Sequence, residues 1–189
     1  MSVLTANSRI IFLGTGTSEG VPRVSCLTNP ASQCTVCPDA IREGSPNRRR
    51  NTSILIQRQL ANRQTNNIVI DAGKFFYEAA IQWFPKFKVE CIDALVITHA
   101  HADAIGGLDD LRDWTNNTQE SLPIYLRDPD YKQVQSLFYY LVDRTKKTGG
   151  GGVAKLNFKS INKSPFTIDG LPIIPLPVEH GKNREVFGY

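Results

Sequence analysis

Short apolar segments, separated by polar turns, divide the chain into predicted strands and helices. Alternating or continuous apolar positions predict strands over residues 9–13, 52–57, 67–71, 93–97, 123–127 and 171–178. Apolar residues at helical spacing predict helices over 74–84, 107–114 and 130–145, the first of them ended by Pro85. Strands that alternate with helices in this way favour an α/β fold of two packed sheets with helices outside, an αββα sandwich.

Composition supports one globular domain and gives little help with function. The chain has 189 residues, of which 41% are hydrophobic, so it can bury a core. No apolar run approaches the roughly 20 residues of a membrane helix, and the N-terminus lacks a secretory signal. We therefore expect a protein without membrane attachment, located in the cytoplasm, with the nucleus as an alternative.

The formal net charge is +4, and two basic runs, 48–50 and 146–147, carry much of it. Solvated loop charge is the simpler interpretation of both runs. The alternative is a rim that attracts phosphate, because cationic clefts concentrate anions. The glycine-rich stretch 149–152 predicts a linker or a long hairpin loop.

Three side chains that commonly bind metals follow the predicted buried strand 93–97. They are His99, His101 and Asp103, each two residues from the next. Two imidazoles at this spacing can share an ion on one side of a turn, and a carboxylate suits the same or a neighbouring ion. Asp103 could instead cap a helix. The combination predicts a metal site.

Three of the four cysteines are grouped near the N-terminus, as Cys26, Cys34 and Cys37. In a reducing compartment this spacing favours metal binding over disulfides. A structural zinc prefers four ligands. The fourth ligand could be a histidine that follows Tyr189, or Cys91, although the place of Cys91 before a buried strand also suits a core residue.

The histidine segment resembles the His-x-His-x-Asp-His signature of the metallo-β-lactamase-fold hydrolases. Ala104 occupies the position where that signature has a histidine for a second metal. Whether the site holds one ion or two therefore stays open. The resemblance extends to segments 11–17, 20–22 and 69–73, and to 175–181 with 187–189. It implies that Asp71 supports the histidine loop without touching the metal, and that His180 is the third imidazole ligand.

Within this family, the cysteine spacing resembles the PhnP-like phosphodiesterase branch, which carries a structural zinc on a cysteine insertion. A eukaryotic subfamily with the pattern His-Ala-Asp-Ala is still more similar. The resemblance implies a metal-dependent hydrolase, in which His99, His101 and His180 hold zinc or manganese. Asp103 would be a catalytic residue that holds a second ion or orients water, and metal-activated hydroxide would attack a cyclic or nucleotide-like phosphodiester.

Two other functions stay open. A tRNA 3′-processing nuclease usually keeps the histidine that Ala104 replaces, and it needs a substrate-binding arm. A non-catalytic binding protein with a degenerate metal site would be consistent with Ala104. We expect a small phosphodiester substrate and no membrane partner; nucleic acid is not favoured, and a homodimer is an alternative.

The resemblance also predicts how the chain is organised. We expect one hydrolase domain over 1–189, with a first half over about 1–122 and the start of a second half over about 123–189. The family's bridging aspartate and last metal-binding histidine would follow Tyr189. We therefore expect a C-terminally truncated chain with an incomplete second half and weak activity.

Overall fold

The computed structural model describes residues 8–60, 64–146, 152–182 and 184–189. Its main sheet has six strands in the order β1-β2-β3-β4-β5-β6. They are β1 (Arg9–Gly14), β2 (Ser53–Gln59), β3 (Thr65–Ile70), β4 (Ala94–Val96), β5 (Leu122–Leu126) and β6 (Leu156–Ser160). The first three strands pair antiparallel and the last four parallel, so the carboxyl ends of β1, β3, β4, β5 and β6 lie at one edge.

Helices cover one face of this sheet. They are α1 (Val24–Thr28), α2 (Val36–Ala40), α3 (Phe76–Phe87), α4 (Ala102–Ile105), α5 (Arg112–Asn117), α6 (Asp128–Leu137) and α7 (Tyr139–Val142), with 3-10 turns at Asp109–Leu111 and Arg144–Lys146. Phe76 and Phe84 of α3 pack on Trp114 and on the sheet residues of the larger core cluster. No helix among the described residues is long and apolar enough to cross a membrane.

Two strand pairs form a second β layer. β7 (Phe166–Ile168) pairs with β8 (Leu171–Ile173), and β9 (Leu176–Glu179) pairs with β10 (Glu185–Gly188). Ile168 and Ile173 pack against Ile68 and Val96, on the face of the main sheet that the helices leave open. This order of layers confirms the predicted sandwich. Because β5 and β6 continue the main sheet, the division near residue 123 does not follow a sheet boundary, and it stays a prediction.

The prediction that Pro85 ends α3 is wrong. The helix continues to Phe87 and ends at Lys88, whose left-handed backbone (φ 54°) closes it by donating to the carbonyls of Phe84 and Pro85. Proline lacks an N–H and disturbs only the turn before it. The missing N–H of Pro85 removes one hydrogen bond of that turn, and the residues after Pro85 stay helical.

Other predicted boundaries also shift. The helix expected over 107–114 is a 3-10 turn at Asp109–Leu111 followed by α5, and a separate short helix, α4, begins at Ala102, so Asp103 lies in its first turn. The helix expected over 130–145 is broken at Phe138, and Leu137 within it is exposed. The strand expected over 171–178 is two strands, β8 and β9. The predicted loop 149–152 lies largely outside the described residues, as does Lys147.

Candidate metal centre

The three histidines predicted to bind metal meet at the carboxyl edge of the main sheet. His99 and His101 follow β4, and His180 follows β9; one ring nitrogen from each lies within 4.8 Å of the other two. His180 Nε2 is 3.4 Å from His101 Nδ1. Two nitrogens bound to one tetrahedral zinc at about 2.0–2.1 Å are also about 3.4 Å apart. The spacing of the imidazoles therefore fits one ion.

The backbone of the β9–β10 hairpin brings His180 to this edge. The His180 N–H donates to the Arg184 carbonyl, and the Phe187 N–H donates to the Thr98 carbonyl next to His99. The Tyr189 hydroxyl donates to the Ile97 carbonyl at 2.9 Å, which fastens the hairpin to the end of β4. A ligand from a distant segment is thus held in place through the two carbonyls that precede His99.

Asp71 and Thr98 set the orientation of His99. Asp71 accepts hydrogen bonds from the Thr98 N–H at 2.8 Å and from the Thr98 hydroxyl at 2.7 Å. The same hydroxyl lies 2.8 Å from His99 Nδ1. Because its single proton goes to Asp71, the hydroxyl accepts the Nδ1–H of His99. This tautomer leaves the lone pair of His99 on Nε2.

His99 Nε2 is buried and has no hydrogen-bond partner. Buried polar atoms are rarely left without a partner, and such an atom needs an explanation. Burial also lowers the pKa of the His99 imidazole to about 4, so the ring is neutral at physiological pH. A neutral imidazole with a free, buried Nε2 lone pair is the form that binds a metal ion. The donor set therefore fits zinc.

Asp103 lies beside the histidines on α4. Its Oδ1 is 3.7 Å from His99 Nε2, and its side chain is partly exposed. Gly73 permits this placement, because a Cβ at Gly73 would lie 2.0 Å from the Asp103 carbonyl oxygen. Ala104 is fully buried, and its carbonyl accepts the Ala72 N–H. The prediction that Asp103 is catalytic stays a prediction.

Asp130 is a supporting residue that the sequence reasoning missed. It is 1% exposed, accepts the Ala100 N–H at 3.1 Å between the two loop histidines, and pairs with Arg127 Nε at 2.6 Å. Arg127 also donates to the Glu185 carbonyl on β10. The pair therefore links α6, the histidine loop and the hairpin of His180. The sequence feature that could have identified Asp130 is its position just past β5, where the ends of parallel strands converge.

Arg184 was also missed. Its guanidinium donates to His101 Nε2, donates to Gln133 Oε1 at 3.4 Å and lies 3.9 Å from Asp130. A guanidinium only donates, so His101 Nε2 accepts here and its proton is on Nδ1. Binding an ion through Nδ1 requires that proton to leave and the Arg184 contact to change. Arg184 thus places a positive charge next to the candidate site.

The three cysteines that were predicted to bind a structural zinc form a second cluster of side chains. The sulfurs of Cys26, Cys34 and Cys37 lie within 4.8 Å of one another, on and between α1 and α2. Hydrogen bonding with the Cys37 thiol raises the pKa of Cys26 to about 11, and the Cys37 N–H, which donates to Cys34 Sγ, lowers the pKa of Cys34. Among the described residues, Cys91 does not join this group; it contacts the Thr118 carbonyl. The interpretation of Cys91 as a fourth ligand is wrong.

Comparison with known proteins identifies the family. A family model described as the β-lactamase superfamily domain matches residues 66–189, and the chain belongs to this family. A solved structure described as a new diphosphatase from the PhnP family superposes with a TM-score of 0.74 and 27% identity, covering 96% of this chain and 61% of that one. Zinc-bound PqqB from Methylobacterium extorquens gives 0.59 and 18% identity, over 89% of this chain and 52% of that one. These matches confirm the metallo-β-lactamase fold and the family resemblance.

One curated relative carries a different activity in its name. A protein called octanoyltransferase, from Porphyromonas gingivalis, is 31% identical over 182 residues. The match covers 96% of this chain and 32% of that protein, so the chain spans about a third of its length. The name therefore describes a protein of which most lies outside the matched region.

Proposed function

We propose that this chain is a metal-dependent hydrolase that cleaves a small, cyclic or nucleotide-like phosphodiester. The observation that supports this most strongly is the buried, unpartnered Nε2 of His99, which lies in a cluster with the imidazoles of His101 and His180. Zinc or manganese is the ion we expect there. When bound, such an ion lowers the pKa of its water to about 7 and polarises a phosphoryl oxygen.

The residues around the histidines have separate roles in this proposal. Asp71 keeps His99 in the tautomer that binds an ion, through the Thr98 hydroxyl. Asp103 has a carboxylate 3.7 Å from His99 Nε2, close enough to orient the attacking water or to accept its proton. No side-chain nucleophile is required.

Arg184 supplies a positive charge for the phosphate. It contacts His101 and Gln133 and is partly exposed, so it can turn towards an anion at the site. Guanidinium groups bind phosphate oxygens through two parallel hydrogen bonds. We infer that Arg184 leaves His101 when the ion binds and then binds a substrate oxygen.

A phosphoanhydride is the second candidate substrate. The PhnP-family structure that covers 96% of this chain is described as a diphosphatase. The same attack of an activated water on phosphorus would cleave either bond, and the two substrates differ in the charge that the site must bind. A nuclease activity on tRNA has less support, because Ala104 occupies the position where that branch usually keeps a histidine.

The two substrates can be compared directly. Hydrolysis of bis-(4-nitrophenyl) phosphate and of a dinucleoside diphosphate would be measured with saturating zinc or manganese. We expect turnover that falls at least about a hundredfold in Asp103→Asn and Arg184→Gln. Asp113→Asn, an exposed aspartate on α5, is the matched control. Equal turnover in wild type and in both site variants would contradict the proposed hydrolase.

A further inference from the structure

A basic cleft lies at the β1 edge of the main sheet. It is enclosed by the end of β1, the last turns of α3 and the loop 42–50, and its volume is about 590 Å³. His99, His101, His180 and Asp103 are not among the residues that line it. The cleft is therefore a separate site, of the size that holds a small molecule.

The walls of the cleft carry five cations and one carboxylate. The carboxylate belongs to Glu43, and the cations belong to Arg42, Arg48, Arg49, Arg50 and Lys86. Like charges so close together repel each other in a partly enclosed space, and a bound anion relieves that repulsion. The cleft lining has a net charge of +4, the five cations less one carboxylate, which equals the formal net charge of the whole chain.

Neutral acceptors orient three of the arginines. Arg48 Nε donates to the Ala40 carbonyl at 3.1 Å, and Arg49 donates to the Thr15 hydroxyl at 3.0 Å. Arg50 donates to Gln82 Oε1 at 2.5 Å. A carbonyl, hydroxyl or amide partner fixes the guanidinium but leaves its charge uncompensated. The positions of these groups are set while their charge stays available.

Carboxylates compensate part of the charge. Arg42 pairs with Asp39, and Glu78 lies 3.5 Å from Arg50 Nε, which is buried and makes no hydrogen bond. Arg48, Arg49 and Lys86 have no ion pair among the described residues. These three cations are the ones free to bind an anion.

Two aromatic side chains, Phe12 and Trp83, line the cleft, and the Trp83 ring already has partners. The Trp83 ring contacts the Lys86 ammonium, 4.9 Å from its centroid, and stacks with Phe87. The Phe12 ring is 60% exposed, so the cleft offers cations at fixed positions beside one exposed ring. Several guanidinium groups around a small volume suit a compact anion with several negative oxygens.

We propose that this cleft binds a small, multiply charged phosphate anion, with inorganic diphosphate or the phosphate tail of a nucleotide as sources of that chemistry. Arg48, Arg49 and Lys86 bind its oxygens, and Arg50 adds charge from the cleft floor. The site differs from the proposed hydrolytic centre, because it uses no metal-binding residue. Binding there can occur whether or not the histidine cluster is intact.

Calorimetric titration with inorganic diphosphate separates the two sites. We expect His101→Ala, which removes a predicted metal ligand, to bind diphosphate as wild type does. We expect Arg49→Gln and Lys86→Gln each to weaken diphosphate binding about tenfold, which is the contribution of one charge-assisted hydrogen bond. Lys132→Gln, an exposed lysine outside the cleft, is the charge-matched control and should bind as wild type does. Raising the salt concentration should weaken the event. Titration with ATP identifies the source: ATP binding about as tightly as diphosphate supports a shared phosphate site.

Several outcomes would overturn the proposal. One is the absence of diphosphate binding in both wild type and His101→Ala. Another is binding that disappears in His101→Ala but survives Arg49→Gln and Lys86→Gln, since that result assigns it to the histidine cluster. Binding of a single-stranded oligonucleotide without binding of diphosphate would assign the charge to nucleic acid. Melting temperatures of the two cleft variants within a few degrees of wild type show that lost binding is not lost folding.

Discussion

The Asp71 carboxylate accepts both hydrogen bonds that Thr98 can donate, from its backbone N–H at 2.8 Å and from its hydroxyl at 2.7 Å. Asp71 adopts a left-handed backbone (φ 61°) at the end of β3, which is uncommon for a residue with a side chain. The hydroxyl then accepts the proton of His99 Nδ1. Through this chain of contacts a buried carboxylate determines which nitrogen of His99 is free to bind a metal.

Asp71→Asn should weaken metal binding at the histidine cluster about 10- to 100-fold while the fold is kept. The amide nitrogen of asparagine would donate to the Thr98 hydroxyl, which would then donate to His99 Nδ1. That arrangement moves the imidazole proton to Nε2, the atom needed for the ion. Competition with a chromogenic zinc chelator measures the affinity, and circular dichroism checks the fold. An affinity equal to that of wild type would show that Thr98 does not set the tautomer.

The stability of the metal-free protein should depend on pH through Asp71. Burial raises the pKa of Asp71 to about 7 from the ordinary 3.8, so between these values the folded chain keeps a proton that the unfolded chain releases. Stability from this group is therefore present at low pH and is lost as the pH rises towards 7.

The difference between wild type and Asp71→Asn isolates this effect, because the lowered pKa of His99 acts in both proteins. We expect the free energy of unfolding of wild type, relative to the variant, to fall by a few kcal/mol between pH 4 and pH 8. Urea unfolding at several pH values measures it. A constant difference across this range would rule out titration of Asp71.

Asp130→Asn should destabilise the fold by about 3 kcal/mol or more. Asp130 is 1% exposed and pairs with Arg127, whose side chain is 12% exposed, and removing one partner leaves a buried charge. Arg127 also lies over the Phe187 ring, so the hairpin of His180 loses part of its support. Asp113→Asn should change stability by less than about 0.5 kcal/mol in the same urea titration. Similar losses in both variants would contradict a special role for the buried pair.

The sequence predicted the side chains that meet at the candidate site better than it predicted the residues that hold them in place. His99, His101 and Asp103 are close in sequence and follow a buried strand, so their meeting needs only a turn. The support from Asp130 and Arg184 depends on how α6 and the β9–β10 hairpin pack, and both residues are distant in sequence from His99 and His101. Asp130 followed a predicted strand and therefore looked like an ordinary helix start.

The fold class followed from the order of the elements, whereas the second β layer was only partly predicted. Strands β6 and β7 were missed because charged and polar residues interrupt their apolar positions. β8 and β9 were merged because prolines and apolar residues run through both. The structure separates them because β8 pairs with β7 and β9 pairs with β10. Pairing partners of this kind are not encoded in a local pattern.

Cys37→Ser should remove a structural zinc and lower the melting temperature. The three sulfurs of the cluster converge, and metal bound by thiolates contributes to folding free energy. The Arg23 N–H also donates to Cys37 Sγ, so the cluster fixes the segment before α1. Zinc content and thermal unfolding, with Cys91→Ser as the control, measure the effect. If both variants keep the same zinc content and melting temperature, the cluster is a group of ordinary thiols.

The metal content of purified His101→Ala, compared with wild type by mass spectrometry, tests most directly whether the three histidines form a metal centre. Removing one of three imidazole ligands should release about one zinc or manganese ion per chain. The zinc expected at the cysteines should stay, and the circular dichroism spectrum should be unchanged. A variant that is folded and holds as much metal as wild type would contradict the metal centre and the hydrolytic function proposed for it.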